Sequence, residues 1–208
     1  MLRRFRSWHA FPGLMLALLL AAPGAALEVE IGLNFKAGDL NESGFIPPDS
    51  QLAVGEEHLV ELLNGRYAVY RKSDGALLEA NSLDGFWVDA GVFPDGFSFD
   101  PRVLYDASSA RWFAVSADAS FATNHLLVAV SRSSDPTAGW TGFAVPSDSS
   151  GIVWADFPTL AVSEDRVLVS ADMYTFGDSF VAPSVLVIPW QTSSLRSPAS
   201  RTPRSSSA

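Results

Sequence analysis

Cysteine is absent from the 208 residues, which excludes disulfides, thiol nucleophiles and thiolate metal sites. Histidine is scarce. Beyond residue 26 only His58 and His125 occur, and neither stands at a metal-ligand or triad spacing. Basic residues are few where they would matter: between Leu27 and Trp190 eight Lys and Arg face all 23 Asp and Glu, a net charge of −15 against −9 for the whole chain. Such a surface repels phosphate backbones and anionic membranes, so nucleic-acid binding is excluded. It suits cations, cationic partners or neutral ligands. No segment keeps a helical apolar period over three turns, and no nucleophile elbow is present.

The longest apolar run, Leu14–Ala22, is too short for an ordinary membrane span. It follows Arg3, Arg4 and Arg6 and precedes the small residues Gly24-Ala25-Ala26. Residues 1–26 therefore read as a secretory signal peptide, and the mature chain is expected outside the cytoplasm of a bacterium, periplasmic, surface-bound or secreted, with no remaining membrane span. Residues 191–208 are rich in Ser, with scattered Arg and Pro and one large apolar residue, Leu195. They read as a disordered tail. The tail replaces a strand where one is due, which suggests a truncated or frame-shifted chain; a natural linker or stalk is the rival explanation.

Between these ends the sequence is 48% hydrophobic and 12% aromatic for the chain as a whole, enough for a core. Its apolar runs are short, rich in Val, Leu, Phe and Tyr, and broken by Gly, Pro, Asp and Ser, which is the pattern of an all-β domain. One phrase returns three times: Leu52-Ala53-Val54-Gly55, Val103-Leu104-Tyr105-Asp106 and Leu160-Ala161-Val162-Ser163, starting 51 and 57 residues apart. A Pro/Asp step precedes each copy, and a polar turn with a second apolar run follows it. Strands are expected at 51–54, 58–63, 67–71 and 77–81; at 102–105, 111–116, 126–131 and 141–145; and at 159–162, 166–170 and 185–189. A strand repeat of this length marks propeller blades, which cannot bury their apolar faces singly. The expectation is an incomplete β-propeller over 27–190 with three units, about 47–97, 98–153 and 154–190. The open edge of the third unit is expected to self-associate.

The run Asp100-Pro101-Arg102-Val103-Leu104-Tyr105-Asp106, continued by Arg111-Trp112-Phe113-Ala114-Val115-Ser116, resembles blades of secreted bacterial β-propellers in the sialidase/BNR-like group. So does Val128-Ala129-Val130-Ser131 followed by Asp135-Pro136-Thr137 and Gly139-Trp140. Ser133, Asp135 and Trp140 keep the spacing of that group's Asp-box turn, although Thr137 stands where the box has Gly and Gly139 where it usually has Thr. The resemblance implies a structural turn on an outer hairpin, away from any ligand.

In a propeller two sets of loops crowd one mouth of the central channel. Asp49, Asp100 and Asp156 precede the innermost strands, while Asn64, Asp118 and Asp172 follow the second strands. Five carboxylates and an amide would hold Ca²⁺ or a cationic group, or hydrogen-bond sugar hydroxyls. Each is also ordinary turn chemistry. The segment 84–100 adds Phe86, Trp87, Phe93, Phe97 and Phe99 among four Asp; at the mouth it would offer an aromatic platform led by Trp87, and otherwise its rings pack between blades. A sialidase needs several inner-strand arginines. Only Arg102 holds such a position, with Gln51 and Thr159 as its counterparts. The expected function is an exported, non-catalytic module binding carbohydrate, an extracellular protein or Ca²⁺. The alternatives are a glycoside hydrolase or lyase using Asp100, Asp118 and Asp156, and an inactive fragment.

Overall fold

The computed structural model describes residues 30–119 and 124–190; the expected signal peptide and tail lie outside the described residues. The description below concerns the unit that begins at Leu33. It is all-β. Among the described residues, eleven strands form three antiparallel sheets. The first holds β1 (Gln51–Val54), β2 (His58–Leu63), β3 (Arg66–Arg71) and β4 (Leu77–Asn81) in that order. The second holds β5 (Phe99–Asp106), β6 (Arg111–Ala117), β7 (His125–Ser131) and β8 (Trp140–Pro146), again in order. The third has β9 (Val153–Val162), β10 (Arg166–Thr175) and β11 (Phe180–Pro189). Strand β5 packs beside both β1 and β9, so the first strands of the three sheets are neighbours.

The second sheet shows why its strands read as nearly unbroken apolar runs. Trp112, Ala114, Leu127 and Ala129 point toward the first sheet, where they meet Val60, Leu62, Tyr67 and Val69. Phe113, Val115, Leu126 and Val128 point the other way, onto Ala155, Val167, Val169 and Met173 of the third. A sheet buried on both faces has no polar face for alternation to reveal. On the third sheet alternation returns: along β11 Leu186 and Ile188 pack inward while Val185 and Val187 are exposed.

Two features depart from the strand-and-turn expectation. Residues Leu83–Asp89, expected in a connecting loop, form a short helix. Ser82 caps it by accepting the Gly85 N–H at 2.9 Å, and Leu83, Phe86 and Trp87 are driven into the layer between the first two sheets. With seven residues it is too short to display a helical period. The third-sheet strands are also longer than expected, at ten residues each. β9 runs straight through Asp156-Phe157-Pro158, which the sequence presents as a break. β9 is an edge strand, where a proline costs no ladder bond on its solvent side. A register shift between Ser170 and Asp172 absorbs the irregularity.

The turn at 133–140 links β7 to β8. Asp135 accepts the Thr137 N–H at 2.9 Å, and Trp140 donates its indole N–H to the Pro136 carbonyl at 3.0 Å. These bonds are internal to the turn, and Trp112 adds a third by donating to the Ser134 carbonyl at 2.9 Å.

The segment before β1 is strapped to the first sheet by a buried carboxylate. Glu61 accepts the Gly38 N–H at 3.1 Å and the Tyr70 hydroxyl at 2.9 Å, and lies 3.6 Å from Arg66, which also pairs with Glu42 at 3.2 Å. Phe35 packs on Tyr70 with ring centroids 5.2 Å apart. Glu61→Ala removes the acceptor of the Tyr70 hydroxyl and the Gly38 N–H and leaves the guanidinium Glu42, and is expected to release this strap at a cost of about 1–3 kcal/mol. Limited proteolysis checks it: cleavage between residues 33 and 48 should become much faster than in the parent chain, and an unchanged rate would refute the role.

Candidate functional site

The first strands of the three sheets share one backbone feature. Asp49, Asp100 and Phe157 each lie three residues before Leu52, Val103 and Leu160, and each has a left-handed backbone, with φ of 44°, 50° and 47°. Aspartate tolerates that conformation, but for phenylalanine it is rare. The shared conformation aligns the three strands with one another. Phe157, not Asp156, is the structural counterpart of Asp49 and Asp100.

The second strands follow the same logic. Leu52, Val103 and Leu160 face Glu61, Ala114 and Val169 across their ladders. Three residues further on stand Asn64, Ala117 and Asp172. Asn64 and Asp172 are thus equivalent, whereas Asp118 lies one residue beyond the matching position.

That single residue separates two fates. Asn64 is buried and turns to the inner strands: its amide N–H₂ donates to Asp49 Oδ2 at 2.7 Å and to the Pro47 carbonyl at 3.1 Å, and its Oδ1 accepts the Asp100 N–H at 2.7 Å. Asp118 turns away. It is 0% exposed, accepts the Asp95 N–H at 3.0 Å and the His125 N–H at 2.5 Å, and contacts His125 Nδ1 at 3.0 Å. Burial pushes its carboxyl above the ordinary range against the pull of these donors. No face of Asp118 is left for a substrate.

Asp49, Asn64, Asp100 and Asp156 come together in one cleft of about 280 Å³. Phe45, Phe97, Phe99 and Trp154 stand around them. Phe45 and Phe97 stack with centroids 6.2 Å apart, and Phe97 meets Phe99 at 5.6 Å. The Asp100 carboxyl is pushed up to about 6, first by burial, then by hydrogen-bonding contact with Asp49 and the charge of Asp156. Its Oδ2 also accepts the Phe157 N–H at 3.2 Å. Arg102 does not point at these acids as a free anion hook: its guanidinium lies 4.4 Å above the Phe157 ring and donates to the Pro101 carbonyl at 3.0 Å.

Of the remaining expected residues, Asp172 sits opposite Asp156 in the β9–β10 ladder but does not line the cleft. Trp87 is 0% exposed in the core and donates its indole N–H to Ser116 Oγ at 3.2 Å, so it presents no surface to a ligand. The aromatic segment is divided: Phe86 and Trp87 go inward, Phe97 and Phe99 reach the cleft, and Phe93 is 79% exposed. Trp154 and Phe45 were not singled out by the sequence. Trp154 had a signal, since residues two apart on a strand share a face and Asp156 follows it by two.

Among the described residues no group of three or more His, Cys, Asp or Glu side chains is arranged to hold a metal ion, and no helix is long and apolar enough to cross a membrane. A larger groove of about 530 Å³ lies between β8 and β11, lined by residues such as Phe113, Val128, Phe143 and Leu186. No charged side chain lines it, so it lacks the polar groups that orient a ligand.

The chain is therefore an all-β protein of three antiparallel sheets with an acidic, aromatic-walled cleft beside β1, β5 and β9. No protein-family model matches it, and no curated protein is significantly similar to it.

Proposed function

We propose that the three sheets are successive blades of an incomplete β-propeller, and that the chain is an exported, non-catalytic module that binds a neutral carbohydrate in the cleft beside the inner strands. The adjacency of β1, β5 and β9 and the two apolar layers between successive sheets support the blade reading. Three blades are fewer than the roughly four to eight that close a ring. Export rests on the basic and apolar pattern of residues 1–26.

The observation that carries the ligand reading is the union of three carboxyls and an amide with Trp154 and the Phe45, Phe97 and Phe99 rings in one cleft. Carboxyls that share protons both donate to and accept from hydroxyls, and aromatic faces take the C–H face of a sugar ring. A body charge of −15 disfavours acidic sugars. Glycosidases hold their two carboxyls about 5–9.5 Å apart, with the glycosidic bond or a water between them. Here Asp49 is held by the Asn64 amide at 2.7 Å and Asp100 by the Phe157 N–H at 3.2 Å, so both carboxyls are engaged with the protein. The one feature favouring hydrolysis is the raised Asp100 carboxyl, the property of a general acid near pH 6.

A glycan array followed by calorimetry, with and without EDTA, tests the proposal. Neutral oligosaccharides should bind without EDTA sensitivity, no reducing sugar should be released, and Trp154→Ala should weaken binding at least tenfold with little change in melting temperature. Binding abolished by EDTA would make Ca²⁺ at these carboxylates the ligand, and full binding by Trp154→Ala would exclude the cleft.

A further inference from the structure

We infer that β11 is a guarded edge, on which Pro183 and Pro189 close the third sheet to an added strand, above all to the β11 of a second copy. In an antiparallel strand the N–H and C=O of one residue point to the same side, and those of the next residue to the other. The Trp190 N–H donates to the Asp165 carbonyl at 3.0 Å, which places residue 190 on the side that bonds to β10. From there the register runs unbroken, Arg166 opposite Pro189 through to Met173 opposite Ala182. Even-numbered residues of β11 from Ala182 onward therefore bond to β10. Pro183, Val185, Val187 and Pro189 turn their backbones to the open side, since no strand lies beyond β11. Both prolines fall in that row, where a missing N–H costs the existing ladder nothing.

The contrast with the other sheets is plain. Their third strands, β3 and β7, pair on both sides and contain no proline. β11 carries no charged residue, so the prolines stand in for the charges that usually protect an edge. Protection is needed, because the strand is ten residues long, with Val185 64% and Val187 49% exposed. β8, at the edge of the second sheet, is treated in the same way. The Arg132 N–H donates to the Gly139 carbonyl at 2.9 Å, and the register that follows turns the even-numbered residues of β8 outward. There Pro146 has no N–H, and Gly142 gives its own to the Ala90 carbonyl at 2.8 Å.

Self-pairing meets the guard directly. Two antiparallel copies of β11 centred on Leu186 would set Pro183 against Pro189 at both ends of the contact. Two rungs remain, each joining Val185 of one copy to Val187 of the other, and beyond them pyrrolidine rings meet where N–H groups should bond. Centring the pair on Val185 or on Val187 leaves a single rung. The modest net worth of so few backbone bonds does not offset the freedom lost on association. The self-association that an open edge suggests from sequence is thereby barred at β11. The inference rests on backbone register, and neither the blade reading nor the cleft ligand enters it.

Light scattering over a range of concentrations, with hydrogen exchange of the Val185 and Val187 amides, tests it on the full chain. In the parent both amides should exchange as exposed groups at every concentration. Pro183→Val/Pro189→Val restores two rungs to the pairing and should lower the concentration at which the chain associates by about tenfold or more, with both amides becoming protected as it does. Two single variants check the register. Val185→Pro, on the open row, should keep the parent's melting temperature, whereas Ser184→Pro, on the row bonded to β10, should lower it sharply. Protected Val185 and Val187 amides in the parent, or a Val185→Pro as damaging as Ser184→Pro, would overturn the guard even if the double variant failed to fold. So would a parent that associates as readily as the folded double variant.

Discussion

Trp87→Ala should destabilise the protein by about 3–5 kcal/mol, the usual cost of emptying a buried indole site. Trp87 has no exposed surface, packs edge-on to Phe86 with centroids 5.0 Å apart, and lies in the layer shared by the first and second sheets. Removing it opens a cavity between the sheets and leaves the fully buried Ser116 hydroxyl without the indole N–H it accepts at 3.2 Å. Whole-domain stability is commonly about 5–15 kcal/mol, so the loss would consume a large part of it. Equilibrium urea unfolding is the measurement, with Trp87→Phe as a partial restoration that keeps the ring and loses the bond. A cost below about 1 kcal/mol would show that this ring is not part of the core. Trp154→Ala makes the contrast, because Trp154 walls the cleft and its loss should be felt in binding.

Asp118→Ala comes next, at about 2–4 kcal/mol. The side chain is a buried acceptor for two backbone N–H groups, those of Asp95 and His125, and contacts the His125 ring nitrogen. Its neighbour Asn124 donates to the Asp118 carbonyl at 2.9 Å and exchanges bonds with Ala155 of β9, accepting that N–H at 2.8 Å. The clamp thus reaches from the second sheet to the third. Alanine removes the buried acceptor from the part-buried N–H groups of Asp95 and His125, which costs more than the net worth of the bonds removed. Asp118→Asn keeps one acceptor oxygen and should recover part of the loss. Both variants should leave glycan affinity unchanged under folding conditions. An affinity drop at intact stability would return Asp118 to the binding site.

These two residues show where sequence reading stops. Trp87 and Trp154 look alike as isolated aromatics near aspartates. What separates them is that Leu83, Phe86 and Trp87 lie on one side of a helix too short to be seen by its period, whereas Trp154 shares a strand face with Asp156. Asp118 and Asn64 look alike as polar residues ending a second strand. The ladder Val103 to Ala114 puts Asp118 one position too far, and in a strand a shift of one reverses the side a residue faces.

The strands themselves were legible, since Val- and aromatic-rich runs bounded by Asn64-Gly65, Asp74-Gly75 and similar turns leave the backbone few alternatives. Gly65 shows the constraint: its φ is 80°, and a Cβ there would lie 2.0 Å from the Ser43 carbonyl oxygen. Composition likewise determined the sign of the surface and the absence of thiol chemistry. The recurrence of Leu52, Val103 and Leu160 marked the first strand of each sheet. Which acids meet was decided only by the tertiary structure. Three left-handed residues, register shifts in the β5–β6 and β9–β10 ladders and the stacking of β1 beside β5 beside β9 bring Asp49, Asp100 and Asp156 together from positions up to 107 residues apart. Local sequence sets how a strand pairs with its neighbour in the chain. Contacts between sheets depend on how the sheets pack, and no short stretch of residues encodes that.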